Sequence, residues 1–211
     1  MTRLLPFVLS ILLGFASTAA LGQGKAVSQN ESFILFAHFG ANGSQIHNDA
    51  LGGFDKLNLM GGLGITRRFK ERLSAGFELN YLGKGSKKNF TSQNSDPNQY
   101  KLSLHYLQVP ALLIVDFGSR IDLFGGPALG FLVSARETDF FDTSDITSEF
   151  KTTEFSLIVG GAYKLSDNWL CELRFDQSIL PVRTATSGDS VQYQGRQYNT
   201  VLGVYLAYIF R

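Results

Sequence analysis

Between Trp169 and Ile179 the chain alternates with a period of two. Trp169, Cys171, Leu173, Phe175 and Ile179 share one parity; Glu172, Arg174, Asp176 and Ser178 share the other. A helix would spread those charges around its axis, whereas a strand puts them all on one face. Leu73–Tyr81 repeats the pattern, with Leu73, Ala75, Phe77, Leu79 and Tyr81 against Ser74, Gly76, Glu78 and Asn80. The chain closes with Leu202, Val204, Leu206, Tyr208 and Phe210 on one parity. The apolar face, unbroken over Leu73–Tyr81 and Leu202–Phe210, and the polar one must each find a matching solvent, and that requirement governs the rest of the reading.

Five further segments read as strands: Phe33–Asn42, Lys56–Phe69, Tyr100–Asp116, Ile121–Arg136 and Thr153–Leu165. In two of these the second face is small rather than charged. Leu57, Leu59, Leu63 and Ile65 oppose Asn58, Met60, Gly62, Gly64 and Thr66; Leu123, Leu129, Phe131 and Val133 oppose Gly126, Ala128, Gly130 and Ser134. Small inward residues suit a narrow barrel, which has no room for bulky side chains from every strand. The 22 glycines and the 26 Phe and Tyr residues fit strands and turns better than helices.

The connections alternate in length. Gly43–Asp55, Gly85–Gln99, Glu137–Lys151 and Thr184–Arg196 are long and polar, while Lys70–Arg72, Phe117–Arg120 and Ser166–Asn168 are short. Long outer loops and tight inner turns are the pattern of an outer-membrane barrel. The expected fold is therefore all-β: an eight-stranded antiparallel up-and-down transmembrane β-barrel with both termini on the periplasmic side. At a tilt of about 40° each residue adds about 2.5 Å of height, so an apolar band of about 25 Å needs about ten residues. The outward set Leu107, Val109, Ala111, Leu113 and Val115 meets that length, with Ser103 and His105 above it on the same face.

Arg3, an apolar run over Leu4–Phe15 and small residues over Ala16–Gly22 form the order of a secretory signal. Cleavage after Ala20 or Gly22 is expected, with Gly22 preferred. This divides the chain into a signal peptide (1–22), a short N-terminal segment (23–31) and the barrel (32–211). Beyond residue 22 there remain 18 basic and 18 acidic residues, so bulk charge points away from nucleic acid. The single Cys171 excludes an intramolecular disulfide.

An eight-stranded lumen is too narrow for an open solute pore, and charges inside it need partners. Glu78 and Arg174 fall on opposite walls. Arg68, Gln108, Lys164, Glu172 and Asp176 are expected to complete a structural polar network with them. Ser103 and His105 at spacing two invite a hydrolase reading, but Glu78 is expected to point the other way, leaving no acid to orient the histidine. No catalytic residue, metal ligand set or cofactor is expected. Asp139, Asp142 and Asp145 with Glu137 and Glu149 make the third outer loop acidic; Lys84, Lys87 and Lys88 make the start of the second loop basic, placed to meet anionic headgroups.

Several stretches carry a resemblance. Phe39-Gly40-Ala41-Asn42, Phe77-Glu78-Leu79-Asn80-Tyr81-Leu82-Gly83-Lys84-Gly85, Tyr106-Leu107-Gln108-Val109-Pro110, Gly125-Gly126-Pro127-Ala128-Leu129-Gly130, Arg174-Phe175-Asp176 and Tyr208-Ile209-Phe210 occur in order. Over residues 32–211 the chain resembles the PorT-like, porin-family outer-membrane β-barrel proteins. It departs in Gln108, where an acid is usual, and in Arg211, which follows the closing aromatic. The resemblance implies a bacterial outer-membrane location and no single activity. The expected role is a non-enzymatic barrel whose outer loops or rim bind or support the envelope, with outer-membrane lipid, lipopolysaccharide and envelope proteins as partners. The alternatives are a subunit of a protein-secretion or gliding apparatus, a lipid A-modifying hydrolase and a small-solute channel.

Overall fold

In a computed structural model, eight long strands pair in a closed antiparallel ring. It describes residues 33–47, 54, 56–87, 101–138, 142–184 and 196–210. The expected signal peptide and N-terminal segment, together with Lys88 and Asp139, lie outside the described residues. The strands are β1 (Phe33–His47), β2 (Lys56–Lys70), β3 (Leu73–Lys87), β4 (Lys101–Asp116), β5 (Ile121–Thr138), the short β6 (Thr143–Asp145), β7 (Thr153–Lys164), β8 (Trp169–Ser178), the short β9 (Arg183–Thr184) and β10 (Arg196–Phe210). A 3-10 turn covers Thr147–Glu149. Each long strand pairs with the next, β6 adds to β5, β9 adds to β10, and β1 pairs with β10 to close the ring.

The register sets the dimensions. Partners traced around the ring from Phe33 run through Arg67, Ala75, Leu113, Gly125, Val159, Phe175 and Leu202, and return to β1 at Gly43, ten residues above the start. With ordinary strand spacings, a stagger of ten over eight strands requires a tilt of roughly 41° and a Cα radius of about 8 Å. Side chains from facing walls therefore meet across the axis.

Alternation sorts the side chains as the sequence patterning requires. Leu57 and Leu59 are 76 % and 74 % exposed on the outer wall, whereas Lys56, Met60, His38, Asn42, Glu78 and Asn80 are buried inside. Such exposure of leucines is stable only in an apolar solvent, which a bilayer supplies. At the end carrying the short turns, Trp169 packs edge-on against Tyr208 and Tyr208 against Phe210. Tyr81, Phe131 and Phe155 stand outward nearer the end carrying the long loops. Aromatic girdles at two levels are what membrane interfaces favour.

The structure departs from the sequence reading in three places. First, β1 continues to His47, β3 to Lys87, and β10 begins at Arg196. Backbone pairing persists above the apolar band, so the expected loops Gly43–Asp55, Gly85–Gln99 and Thr184–Arg196 lose their flanks to strands. Secondly, Lys84 is not at a loop surface. The parity of Glu78 and Asn80 continues through Leu82, Lys84 and Ser86, all buried inside. Thirdly, a bulge between β4 and β5 pairs His105 with Ser134 but Tyr106 with Leu132. Val133 is the extra residue, so Ser134 leaves the inward set and Ala135 takes its place at 0 % exposure.

Gly118 and Gly62 are among the glycines that the geometry requires. Gly118, in the Phe117–Arg120 turn, has φ +102°, which residues with a Cβ rarely adopt. Gly62 lies where a Cβ would stand 2.0 Å from the Asn80 amide oxygen and 2.8 Å from His38 Nε2. That glycine makes room for the inner network described next.

Candidate functional site

Among the described residues, three groups of paired charges lie in the lumen at different heights. The first is centred on Arg174. β3 and β8 are four places apart in an eight-strand ring and so face each other across it. Arg174 Nη1 donates to Glu78 Oε2 at 2.6 Å and Nη2 to Glu78 Oε1 at 2.8 Å, a two-bonded grip across the barrel. Arg174 Nε donates to Glu172 Oε2 at 3.0 Å. Its Nη2 also lies 3.2 Å from His38 Nδ1, which is 3.5 Å from Glu172 Oε2. His38 Nε2 donates to Asn80 Oδ1 at 2.7 Å, while Asn80 Nδ2 donates to Glu78. Phe124 and Tyr205 flank the guanidinium at 5.0 and 5.8 Å.

The second group is nearer the loop end. Lys84 Nζ donates to Glu154 Oε1 at 2.5 Å and to Asp176 Oδ2 at 2.8 Å. Gln108 donates to Asp176 at 2.9 Å, and Asn199 to Glu154. Lys84 and Glu154 have side chains only 1 % exposed. Between the groups lies a cavity of about 10 Å³, close to the least volume that admits one water. Above the second group, inward residues Ile46, Leu102, Leu104, Tyr106, Leu132 and Ala135 pack against Ile146, Phe150 and Val182 from the connections, forming an apolar plug. Arg183 fastens it through Glu149 and the face of Phe150.

The third group sits at the turn-end mouth. Lys164 Nζ lies 3.0 Å from Asp122 and 3.5 Å from Asp116, and Arg68 lies 3.9 Å from Asp116. The seven residues expected to form one network therefore divide. Glu78, Glu172 and Arg174 form one group, and Gln108 and Asp176 belong to a second. Arg68 and Lys164 belong to neither, because each lies near the turn end of its strand; Arg68 is 57 % exposed. Strand parity reports the face and not the height. Lys84, Glu154, His38 and Asn80 were missed. Glu154 shares its parity with Lys164, and Lys84 shares that of Glu78, so the signal was present in both cases.

Ser103 and His105 do face outward. His105 Nδ1 pairs with the Tyr81 hydroxyl at 2.9 Å, with the rings stacked at 5.8 Å. Among the described residues no carboxylate bonds to it. Of the acidic loop, Glu149 pairs with Arg183, and Asp145 accepts from the Thr147 N–H at 2.9 Å. Among the described residues no cluster of potential metal ligands occurs.

A closed, outward-apolar ring with an ionic interior is the geometry against which relatives can be judged. The profile described as outer membrane protein beta-barrel domain matches residues 7–182, most of the chain. The chain belongs to that family. It is an outer-membrane β-barrel protein. Comparison with curated proteins gave no match. Among solved structures it is similar to Ail, the attachment invasion locus protein of Yersinia pestis, in complex with the heparin analogue sucrose octasulfate. Identity is 12 %, with 85 % of this chain and 99 % of that chain covered at TM-score 0.50. It is also similar to Neisserial surface protein A, at 16 % identity, covering 86 % of this chain and 100 % of that chain at TM-score 0.50. At such identity the likeness shows the fold alone.

Proposed function

We propose that the protein is a non-enzymatic barrel of the bacterial outer membrane that acts through its surfaces rather than its lumen. Its signal peptide is removed, its loops face outward and its termini lie in the periplasm. The observation that carries this reading is the double closure of the lumen. Ion groups cross the barrel at two heights, and the apolar plug covers the loop end. The decisive experiment is single-channel recording in planar bilayers. No steady conductance is expected, and a stable open level would overturn the reading.

Lipopolysaccharide is the partner we infer for the outer wall. Lys87 pairs in register with Lys101, and Arg136 with Ser103 on one side and Asp145 on the other, all outward, with Lys87 six residues beyond Tyr81 and Arg136 five beyond Phe131 toward the loop end. Like charges directly opposite on a sheet repel, and lipid phosphates at that height would relieve the repulsion. Lipopolysaccharide retained after detergent extraction should fall in the K87Q/K101Q/R136Q protein, and unchanged retention would remove this part. The alternative is a PorT-like subunit of a secretion apparatus. The feature that favours it is a cavity opening at the turn end, where periplasmic machinery would stand. A stoichiometric protein partner retained in mild detergent would replace the surface reading with this one.

A further inference from the structure

The cavity at the turn end has a volume of about 600 Å³ and runs inward from the turns to the Arg174 group. Its mouth is lined by turn residues such as Ser119, Arg120, Ser166 and Asp167, and its walls by Phe36, Leu112, Ile114, Phe124 and Leu170. The ionic floor lies on the order of 10 Å from the rim, given that Glu172 is only three residues into β8 and Glu78 five into β3. Lys164 and Arg68 at the mouth are met there by Asp116 and Asp122. The rim is thus electrically balanced, and the floor decides what the cavity holds.

The floor is rich in acceptors. One guanidinium, Arg174, serves two carboxylates, Glu78 and Glu172. His38 lies beside both acids, its Nε2 3.9 Å from Glu78 Oε2 and its Nδ1 3.5 Å from Glu172 Oε2. The two acids are also used differently. Both oxygens of Glu78 receive hydrogen bonds. Among the described residues, Glu172 receives its bonds on Oε2 alone. Its side chain is more than nine-tenths buried, yet it lines the cavity, and among the described residues nothing donates to Oε1. A buried carboxylate with an open oxygen attracts a donor.

We propose that this cavity is a binding site for a single primary ammonium or guanidinium group on an apolar stem. The cation's N–H groups donate to Glu172 Oε1, and the stem lies against Phe36, Phe124, Leu112 and Ile114. An anion is disfavoured, because Arg174 is already engaged by both carboxylates and a further acceptor would face them. The same chemistry is carried by a small free amine and by a Lys or Arg side chain on a protein segment. The inference concerns the inner cavity and does not rest on the surface reading above.

The test uses the whole mature protein folded in nanodiscs. Benzylamine represents the free amine, and an end-capped Gly-Lys-Gly peptide represents the protein side chain. Binding is read from the Arg174 Nε–H resonance. A saturable shift with benzylamine only assigns a free amine, with the peptide only a protein side chain, and with both either source. Benzyl alcohol and phenylacetate, which have the same ring without the cation, should give no saturable shift. E172Q should weaken binding by at least about tenfold, the value of one charge-assisted hydrogen bond, and Arg174 retains Glu78 to keep the barrel closed. Gel-shift heat modifiability verifies that E172Q is folded; if it is not, I114W fills the cavity without touching the acids and should abolish the shift. The proposal is overturned if neither probe shifts the resonance, if folded E172Q binds equally well, if I114W leaves the shift intact, or if benzyl alcohol binds as well as benzylamine.

Discussion

The two buried ion groups have the same composition and different surroundings. Each sets one cation between two carboxylates: Arg174 between Glu78 and Glu172, and Lys84 between Glu154 and Asp176. The Arg174 group borders the 600 Å³ cavity and uses a planar fork that reaches across the barrel and stacks between aromatic rings. The Lys84 group is closed from below by the Arg174 group and from above by the plug. Its cation is a compact charge whose carboxylates come from neighbouring strands, β7 and β8, with Gln108 and Asn199 filling the remaining positions. Equal stoichiometry therefore does not mean equal role. The enclosed group can only hold the barrel together, whereas the other meets whatever enters the cavity.

The largest effect should come from breaking the enclosed group. K84M strands Glu154 and Asp176 without a cation where water cannot reach, at a cost of about 3–5 kcal/mol. Urea unfolding in lipid vesicles should show it, and an unchanged midpoint would mean that the group is not sealed. R174M should cost less, toward about 3 kcal/mol, because water from the cavity can reach the freed Glu172. A larger loss for R174M than for K84M would reverse the comparison. R174K should recover only part of that loss, since an ammonium cannot grip Glu78 with two parallel bonds.

That contrast was half visible in the amino-acid sequence. The Glu78–Arg174 pairing followed from parity and strand count alone: both residues lie on the polar face of cleanly alternating strands, four places apart. Lys84 was obscured because its outward neighbours are Gly83 and Gly85, which carry no polarity to mark the alternation. Glu154 was obscured by its place at a strand edge. Arg68 and Lys164 were grouped with the wrong charges because parity carries no height, whereas their closeness to the short turns does. The exchange of Ser134 for Ala135 depends on a bulge, and nothing local to Val133 announces one. The open oxygen of Glu172 was beyond reach, because it depends on how Arg174 divides its donors between two acids.

The plug is what separates the two groups, so loosening it should narrow the difference between them. Phe150 is buried among Ile146, Val182 and Leu132 and lies under Arg183. F150A should accelerate amide exchange at the loop end while leaving the global unfolding midpoint nearly unchanged, because the connection can open by itself. With water admitted from above, K84M should then cost less in the F150A background than alone, a non-additivity expected of neighbours. Strict additivity would show that the plug does not control access to Lys84.

The smallest effect is expected from the acid that shapes the turn beneath the plug. Hydrogen bonds from Thr147, side chain first and then backbone N–H, hold the Asp145 carboxyl below the usual carboxylate range, with Arg136 adding to them. The fold therefore favours the anion. Its contribution is complete above the ordinary carboxylate value and fades as the pH falls through the lowered one. Asp145 is solvent-exposed, so the change should be local. Amide exchange at Thr147 should accelerate on acidification across that window, and D145N should show the faster rate already at neutral pH with no further acid dependence there. Should D145N retain the same pH response, another group times the opening of the turn, and the route from Asp145 to the plug would have to be redrawn through Glu149 and Arg183.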